Sequence, residues 1–519
     1  MTELDRRSFL KTGAAVTGGA VVAGGPFAGF LAAPAVAGVG RDRQNALRPV
    51  QDLRDGVERL QLPEGFSYRS FQPSSRSRPI VLDDGAKLPG RHDGMAAFSG
   101  RSAHTVTLVR NHEENGSATN GAAVGSGTPV YDTAALGGTS TVHVTYEGEV
   151  LDSFMSLAGT QMNCSGGRMP WDSWITCEET VNGYDVGDDF TRVPPPVNGV
   201  PQPDPGPLTY RTNARLTRTH GHIFEVPAAG PATGRPIRSA GRFAHEAVAF
   251  DPRGGALYLT EDNFAFPSGF YRYDPPADPM AVGELRDGGT LWMLKVKGVD
   301  RADLARSQPN GTVYDVEWVQ ISQPDVDYGA PLNGVPLATN DQAIVHVSQQ
   351  GRNQGAAGFS RLEGAVYDHG WVFWTSTQGG GAPETGASDS ARGWGNGHGQ
   401  VWGLDIKAQQ LHMLYESPGP EVLDFPDNVT TSARGTLILC EDGSNFNYIR
   451  GLTRKGHLFD IAKNNLPPQP PPPAPSVPDQ NDEFAGSTFS PGGRTLFVNI
   501  QDSLGMSFAI WGPWGRIDV

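Results

Sequence analysis

Cysteine is scarce: the 519 residues hold three, Cys164, Cys177 and Cys440. That excludes the disulfide framework that holds small exported domains together. An odd number leaves at least one thiol unpaired, although one bridge, such as Cys164 to Cys177, stays open. A free thiol is either a small buried apolar residue, the alternative for Cys440, or a metal ligand, a role open to Cys177. Basic charge is also in deficit, with a net charge of −15. A nucleic-acid partner requires a basic face to neutralise phosphates, so that class is excluded. An acidic protein that handles anions needs cations as intermediaries. Long amphipathic helical patterns are missing too, while Gly 67 and Pro 42 mark many turns.

Of what is present, the N-terminus comes first. Asp5-Arg6-Arg7-Ser8-Phe9-Leu10-Lys11 leads into a weakly apolar, Gly- and Ala-rich stretch that ends in the small-residue pattern Ala35-Val36-Ala37. Recurrent glycines and a terminal cleavage pattern favour a twin-arginine export signal over residues 1–37 above a membrane anchor. The expectation is export by the twin-arginine machinery to the periplasm or beyond, with no stable membrane partner after cleavage. Residues 38–60 read as a flexible lead-in. Residues 61–519 read as a single domain, since closed all-β architectures run long as one unit. The proline-rich stretch 466–478 is expected to be an extended surface loop inside it.

An internal repeat decides the architecture. Short β-prone runs alternate with Gly, Pro, Asn and Asp turns, and they pair as six hairpins over residues 92–113, 163–178, 245–262, 361–377, 427–441 and 483–501. Runs at 221–226, 269–274 and 399–405 can supply outer strands. The pattern predicts an all-β fold, a six-bladed β-propeller with long insertions near 185–215 and 379–398. A pair of sandwich domains is the alternative.

The hairpin ends carry the chemistry. The first residue of one strand and the last of its partner lie at the same end of an antiparallel hairpin. Glu246 should therefore lie near Glu261, Asp427 near Glu441, and Asn163 near Cys177 and Glu178. If the hairpins are inner strands of successive blades, their open ends surround one channel mouth. Carboxylates crowded there repel one another unless cations bind. Oxygen ligands suit a hard ion such as Ca2+ and a thiolate brings in a softer or redox-active metal, so a mixed site is expected. The candidate ligands are Cys177, Glu178, Glu246, Glu261, Glu363, Asp427, Glu441 and Glu483. Each acid has an alternative role in closing a turn.

Two positions need separate comment. Glu178, Glu261 and Glu441 are in register, which aligns Cys177 with Thr260 and Cys440 and leaves open a packing role for it. Cys177 and Glu178 point to opposite faces of a regular strand, so both reach one cluster only if the strand end twists or bulges. Arg361 lies two residues before Glu363, on the same face of an extended strand. It is suited to hold phosphate oxygens beside metal-ligating acids, or simply to pair with Glu363. His112 is a ligand, a proton carrier or a polar core residue.

Taken together, Thr176-Cys177-Glu178-Glu179, Phe243-Ala244-His245-Glu246, Glu261-Asp262, Pro426-Asp427-Asn428, Cys440-Glu441-Asp442-Gly443 and the run 495–501 resemble the PhoX-type alkaline phosphatases. The resemblance spans nearly the whole mature chain. It implies a six-bladed propeller that holds Fe3+ and Ca2+ and hydrolyses phosphomonoesters, acting as a monomer. Cys177 would ligate iron, Glu178, Glu246, Glu261, Glu363 and Glu441 would ligate or neighbour the metals, and Arg361 would hold phosphate. Two places depart from the family pattern: Arg361-Leu362-Glu363-Gly364 stands where Arg-Pro-Glu-Trp is expected, and Glu483-Phe484-Ala485-Gly486 where Cys-Glu-x-Thr-Gly is expected. A calcium-dependent propeller esterase or lactonase and a non-catalytic exported binding propeller are the competing functions.

Overall fold

Runs rich in β-branched and aromatic residues, cut by glycine turns, become strands, and nearly all regular structure is β. A computed structural model describes residues 46–187, 213–384, 393–467 and 479–519. Among them the longest helix is His346–Asn353. The strands form five sheets of nine, six, four, four and three strands in a propeller-like arrangement. All six expected hairpins are present. They pair His92–Ser99 with Thr105–His112, Asn163–Met169 with Ser173–Glu178, and His245–Phe250 with Leu257–Glu261. Leu362–Asp368 pairs with Trp371–Ser376, Pro426–Thr431 with Leu437–Glu441, and Phe484–Phe489 with Thr495–Ile500. The first strand of each hairpin lies beside that of the next, and the sixth lies beside the first.

Further strands extend each hairpin outward, including Ile223–Pro227, Phe270–Asp274 and Gln400–Asp405. Aromatic side chains fill the space between neighbouring hairpins, as where Phe270 beside the third stacks on Trp374 of the fourth at 3.9 Å between ring centroids. The nine-stranded sheet contains the third and fourth hairpins, joined where Val313–Gln320 pairs with Gln410–Glu416. Arg48–Val50 falls in the stretch expected to be a flexible lead-in. It instead pairs with Leu60–Leu62 and extends the sheet of the fifth hairpin. Ser67–Ser74 pairs with Gly505–Trp511, so an early and a late strand share the sheet of the sixth hairpin. Residues 468–478 of the proline-rich stretch, and 188–212 and 385–392 of the expected insertions, lie outside the described residues.

Every hairpin is interrupted near its open end, after one ladder pair in the first five and after two in the sixth. Two residues of the inner strand face one residue of the return strand: Asp93 and Gly94 face Asn111, Cys164 and Ser165 face Cys177, and Glu246 and Ala247 face Thr260. Glu363 and Gly364 face Thr375, Asp427 and Asn428 face Cys440, and Gly486 and Ser487 face Val498. Such a bulge bends the strand and re-aims the side chain it carries. The bulges also latch neighbouring hairpins. Asn111 Nδ2 donates to the Cys164 carbonyl at 2.9 Å, Thr260 Oγ1 to that of Glu363 at 2.6 Å, Thr375 Oγ1 to that of Asp427 at 2.5 Å, and Asn499 Nδ2 to that of Asp93 at 2.5 Å.

Gly486 shows how tight this layer is. Its φ is +61°, and a Cβ there would lie 2.2 Å from the Asp93 carbonyl oxygen. Gly486→Ala therefore combines left-handed backbone strain with a backbone clash. It should cost about 2–4 kcal/mol, read as a lowered thermal midpoint.

Candidate metal centre

One end of the hairpins opens on a cavity of about 280 Å³. Two positions per hairpin build most of its wall. The first bulge residue supplies Asp93, Cys164, Glu246, Glu363 and Asp427, and the residue just past the end of the return strand supplies Glu113, Glu179, Asp262 and Asp442. Glu483 comes from the loop that enters the sixth hairpin, whose own bulge residue is Gly486. With Asp341, ten carboxylates of the described residues line the cavity beside two guanidinium groups, Arg91 and Arg361.

The acids fall into clusters. Cys164, Glu179 and Glu246 have ligand atoms within 4.8 Å of one another, as do Asp93, Glu113 and Glu483, and again Asp427, Asp442 and Glu483. Burial, and then neighbouring carboxylates, push Asp93, Glu179, Glu246, Glu363 and Glu483 well above the usual carboxylate range. Asp427 rises to about 7 by burial and the nearness of Asp442. Burial, and then Glu246, likewise push the Cys164 thiol well above its usual range. One oxygen of Glu246, Oε2, is buried with no hydrogen-bond partner.

Asp262, Glu363, Glu113 and Asp93 are anchored by guanidinium groups or an amide. Arg361, at φ +38°, sends Nη2 to Asp262 Oδ2 at 2.6 Å and to Glu363 Oε1 at 3.3 Å, with its guanidinium 5.0 Å above the Phe264 ring. Arg91 pairs with Glu113. Gln501 Nε2 donates to Asp93 Oδ2 at 2.7 Å.

Of the positions expected from sequence, Glu246, Glu363, Asp427, Glu483 and Arg361 line the cavity. Cys177, Glu178, Glu261, Glu441 and His112 do not, which corrects that expectation. The bulge lies on the inner strand, so it turns Cys164 and not Cys177 inward. Cys177 is fully buried in an apolar cluster with Ile175, Ile223 and Val248, and Cys440 in another. All three cysteines are free, so no Cys164–Cys177 bridge forms. His112 bonds the Gly90 carbonyl and Ser140 Oγ, both at 2.9 Å, as a polar core residue.

The three glutamates in register share a different task. Each accepts backbone N–H groups where the chain returns to form a third strand: Glu178 from Gly221 and His222 at 2.9 and 3.1 Å, Glu261 from Gly269 at 2.7 Å, Glu441 from Tyr448 at 3.0 Å. In every case the next residue, Glu179, Asp262 or Asp442, faces the cavity. Alternation along the chain separates the two acids of each pair, and the pairs Glu178-Glu179, Glu261-Asp262 and Glu441-Asp442 were the sequence signal for the acids that sequence reasoning missed. The departures at Leu362 and Gly364 lie off the cavity: Leu362 is core, and a Cβ on Gly364 would meet Val429 N at 2.6 Å.

One anchor is itself charged. His220 is fully buried, with Nδ1 2.6 Å from Glu178 Oε1 and Nε2 3.5 Å from Asp132 Oδ2. Burial opposes its charge, but the two carboxylates outweigh it and raise its pKa to about 9 from 6.5. A group whose pKa is raised by folding stabilises fully below its unfolded value and loses that contribution as pH climbs through the folded one. The thermal midpoint should therefore fall between pH 7 and 10, and His220→Gln should begin lower and flatten that fall.

The twin-arginine signal is matched over residues 3–23 by the model of twin-arginine translocation signal sequences. The model of the family described as alkaline phosphatase PhoX matches residues 45–153 and 145–503. No curated protein matches the sequence. Among solved structures, PhoX of Pseudomonas fluorescens in complex with vanadate, a transition state analogue, is 17% identical, with a TM-score of 0.58 over 91% of this chain and 98% of that one. A Xanthomonas campestris gluconolactonase aligns over 90% and 97% of the two chains at 10% identity and a TM-score of 0.35. The fold likeness to PhoX agrees with the family match, which covers most of the sequence: the chain is exported by the twin-arginine route and belongs to the PhoX alkaline phosphatase family.

Proposed function

We propose that this cavity hydrolyses phosphomonoesters of small molecules with the help of bound cations. The single observation that carries the reading is the convergence of ten carboxylates and Arg361 on one cavity of about 280 Å³, in a chain of this family. The donor set fits cations: the acids stand in groups whose ligand atoms lie within 4.8 Å, and Glu246 Oε2 is buried without a partner. Cys164, Glu179 and Glu246 suit a transition metal such as Fe3+ because a thiolate joins two carboxylates. The oxygen-only groups, Asp93, Glu113, Glu483 and Asp427, Asp442, Glu483, suit Ca2+. Bound cations would supply charge neutralisation, polarisation of phosphate oxygens and activation of water.

The chain's own residues do the rest. Arg361 spends its Nε–Nη2 edge on Asp262, with Nη2 also facing Glu363 and the guanidinium over the Phe264 ring, so Nη1 is the group that would meet a phosphate oxygen. Arg91, paired with Glu113, is a second cation on the wall. We read the domain as one six-bladed propeller that begins with the strand Arg48–Val50 rather than at residue 61 and runs to residue 519, a monomer free of the membrane in the periplasm or outside the cell. Six equivalent bulged hairpins in a closed ring support that count, with the nine-stranded sheet taken as two blades joined at their outer edges.

Metal-loaded protein should release phosphate from p-nitrophenyl phosphate at alkaline pH, and chelation or Glu363→Gln should abolish the release. Absence of turnover of any phosphate ester by the fully metallated chain would falsify the proposal. Cys164→Ser should lower the content of transition metal, whereas Cys177→Ser should not. The paired acids give a sharper contrast. Glu179→Gln, Asp262→Asn and Asp442→Asn should weaken activity or metal retention by about 10–100-fold. Their neighbours Glu178→Gln, Glu261→Gln and Glu441→Gln should keep the metal content, measured by plasma emission, and lower the thermal midpoint instead.

A further inference from the structure

Glu483 reaches the cavity differently from the other acids. It is neither a bulge residue nor the residue after a return strand, but the last residue of a loop, 479–483, that lies outside the strand ladders. The loop folds on itself through Asn481 N–H to Asp479 Oδ1 at 2.7 Å and Asp479 N–H to Asp482 Oδ2 at 2.5 Å. Its place in the molecule is set by two buried amides. Asn464 Nδ2 donates to the carbonyls of Asp479 and Asp482 at 2.8 and 3.0 Å. Asn447 Nδ2 donates to the Asn481 carbonyl at 2.7 Å, while its Oδ1 accepts the Gly443 N–H at 2.6 Å.

Asn447 thus joins two segments that each end in an acid of the same group. Gly443 follows Asp442, and Asn481 lies two residues before Glu483. Their carboxylates belong with Asp427 to one set of ligand atoms within 4.8 Å, where like charges push them apart. Asn447 is fully buried and uncharged, so it restrains both segments without adding to the repulsion. We propose that Asn447 is a positioning residue that holds Asp442 and Glu483 at the separation at which, with Asp427, they share a divalent cation, and that Asn464 holds the same loop on either side of Asn481, at Asp479 and at Asp482.

The proposal rests on the reading that these acids bind cations, and calcium alone tests both separately. The full chain, purified and dialysed to low calcium, is titrated with calcium by calorimetry as wild type, Asn447→Ala, Asn447→Asp and Asn464→Asp. Asn447→Asp keeps the acceptor for Gly443 and loses the donor to Asn481; Asn464→Asp releases the loop elsewhere and carries the measurement if Asn447→Ala does not fold. Removal of a group that orients a ligand typically weakens affinity about 10–100-fold. Each variant should lose calcium affinity to that extent at one class of sites while keeping its transition metal. Turnover of p-nitrophenyl phosphate should then recover in excess calcium, which a purely structural defect would not allow. Unchanged affinity in the folded variants, or a loss that excess calcium does not recover, overturns the role of Asn447. A wild-type chain that takes up no calcium overturns the cation reading instead.

Discussion

Mutual repulsion among the cavity carboxylates is the constraint to which the rest of the structure answers. At 4 Å, two like charges cost about 4 kcal/mol even at an effective dielectric constant of 20. Ten such groups face two guanidinium groups here. Left to a flexible chain, they would turn out to solvent. They stay because each is fixed to a backbone that has other reasons to be where it is. The bulge residues belong to inner strands packed against their neighbours, and their carbonyls are bonded across from hairpin to hairpin. Burial and crowding then express themselves as raised pKa values at Asp93, Glu179, Glu246, Glu363 and Glu483. Cations would relieve that load.

The paired acids show how one short motif meets two demands. In Glu178-Glu179, Glu261-Asp262 and Glu441-Asp442 the first carboxylate accepts backbone N–H groups from the start of a third strand, and the second faces the cavity. The first acid secures the strand end, and a secured strand end gives the second acid a fixed direction. Glu441 is further held by Arg450 Nε at 2.8 Å, and Glu178 by His220. Support of the strand end and lining of the cavity therefore fall to adjacent residues.

Much of this was legible in the sequence. The six hairpins followed from alternating β-prone runs and turn residues, Glu246 and Asp427 from antiparallel geometry, and Arg361 with Glu363 from their two-residue spacing on one strand face. The errors have one physical origin. A two-residue alternation says that Cys177 and Glu178, or Glu178 and Glu179, face opposite ways, but not which of them faces the cavity. That sense is set by a bulge on the partner strand, at Cys164 and Ser165 opposite Cys177. No residue type announces this bulge, since its two members range from Asp-Gly to Cys-Ser to Glu-Ala. Glu113 and Asp93 were hidden for the same reason, and the pairing of Arg48–Val50 with Leu60–Leu62 depends on a sheet formed some 400 residues later.

The sixth hairpin shows that closure of the ring and construction of the site are the same problem. It has Gly486 at the bulge, where four of the other hairpins carry an acid and the second carries Cys164, and Gln501 past its return strand, where four carry an acid and the fourth carries Thr377. Asp93 of the first hairpin presses on this bulge: its carbonyl lies 2.2 Å from where a Gly486 Cβ would be, and accepts from Asn499. An acid at position 501 would add a charge against Asp93, whereas the Gln501 amide donates to it at 2.7 Å. The sixth hairpin thus gives up its own ligands to orient a neighbour's, and Glu483 restores one from the loop before it. The same Asp93 is therefore both the residue across which the last hairpin meets the first and a member of the acid cluster. A chain that failed to close there would have neither a sealed ring nor the group formed by Asp93, Glu113 and Glu483.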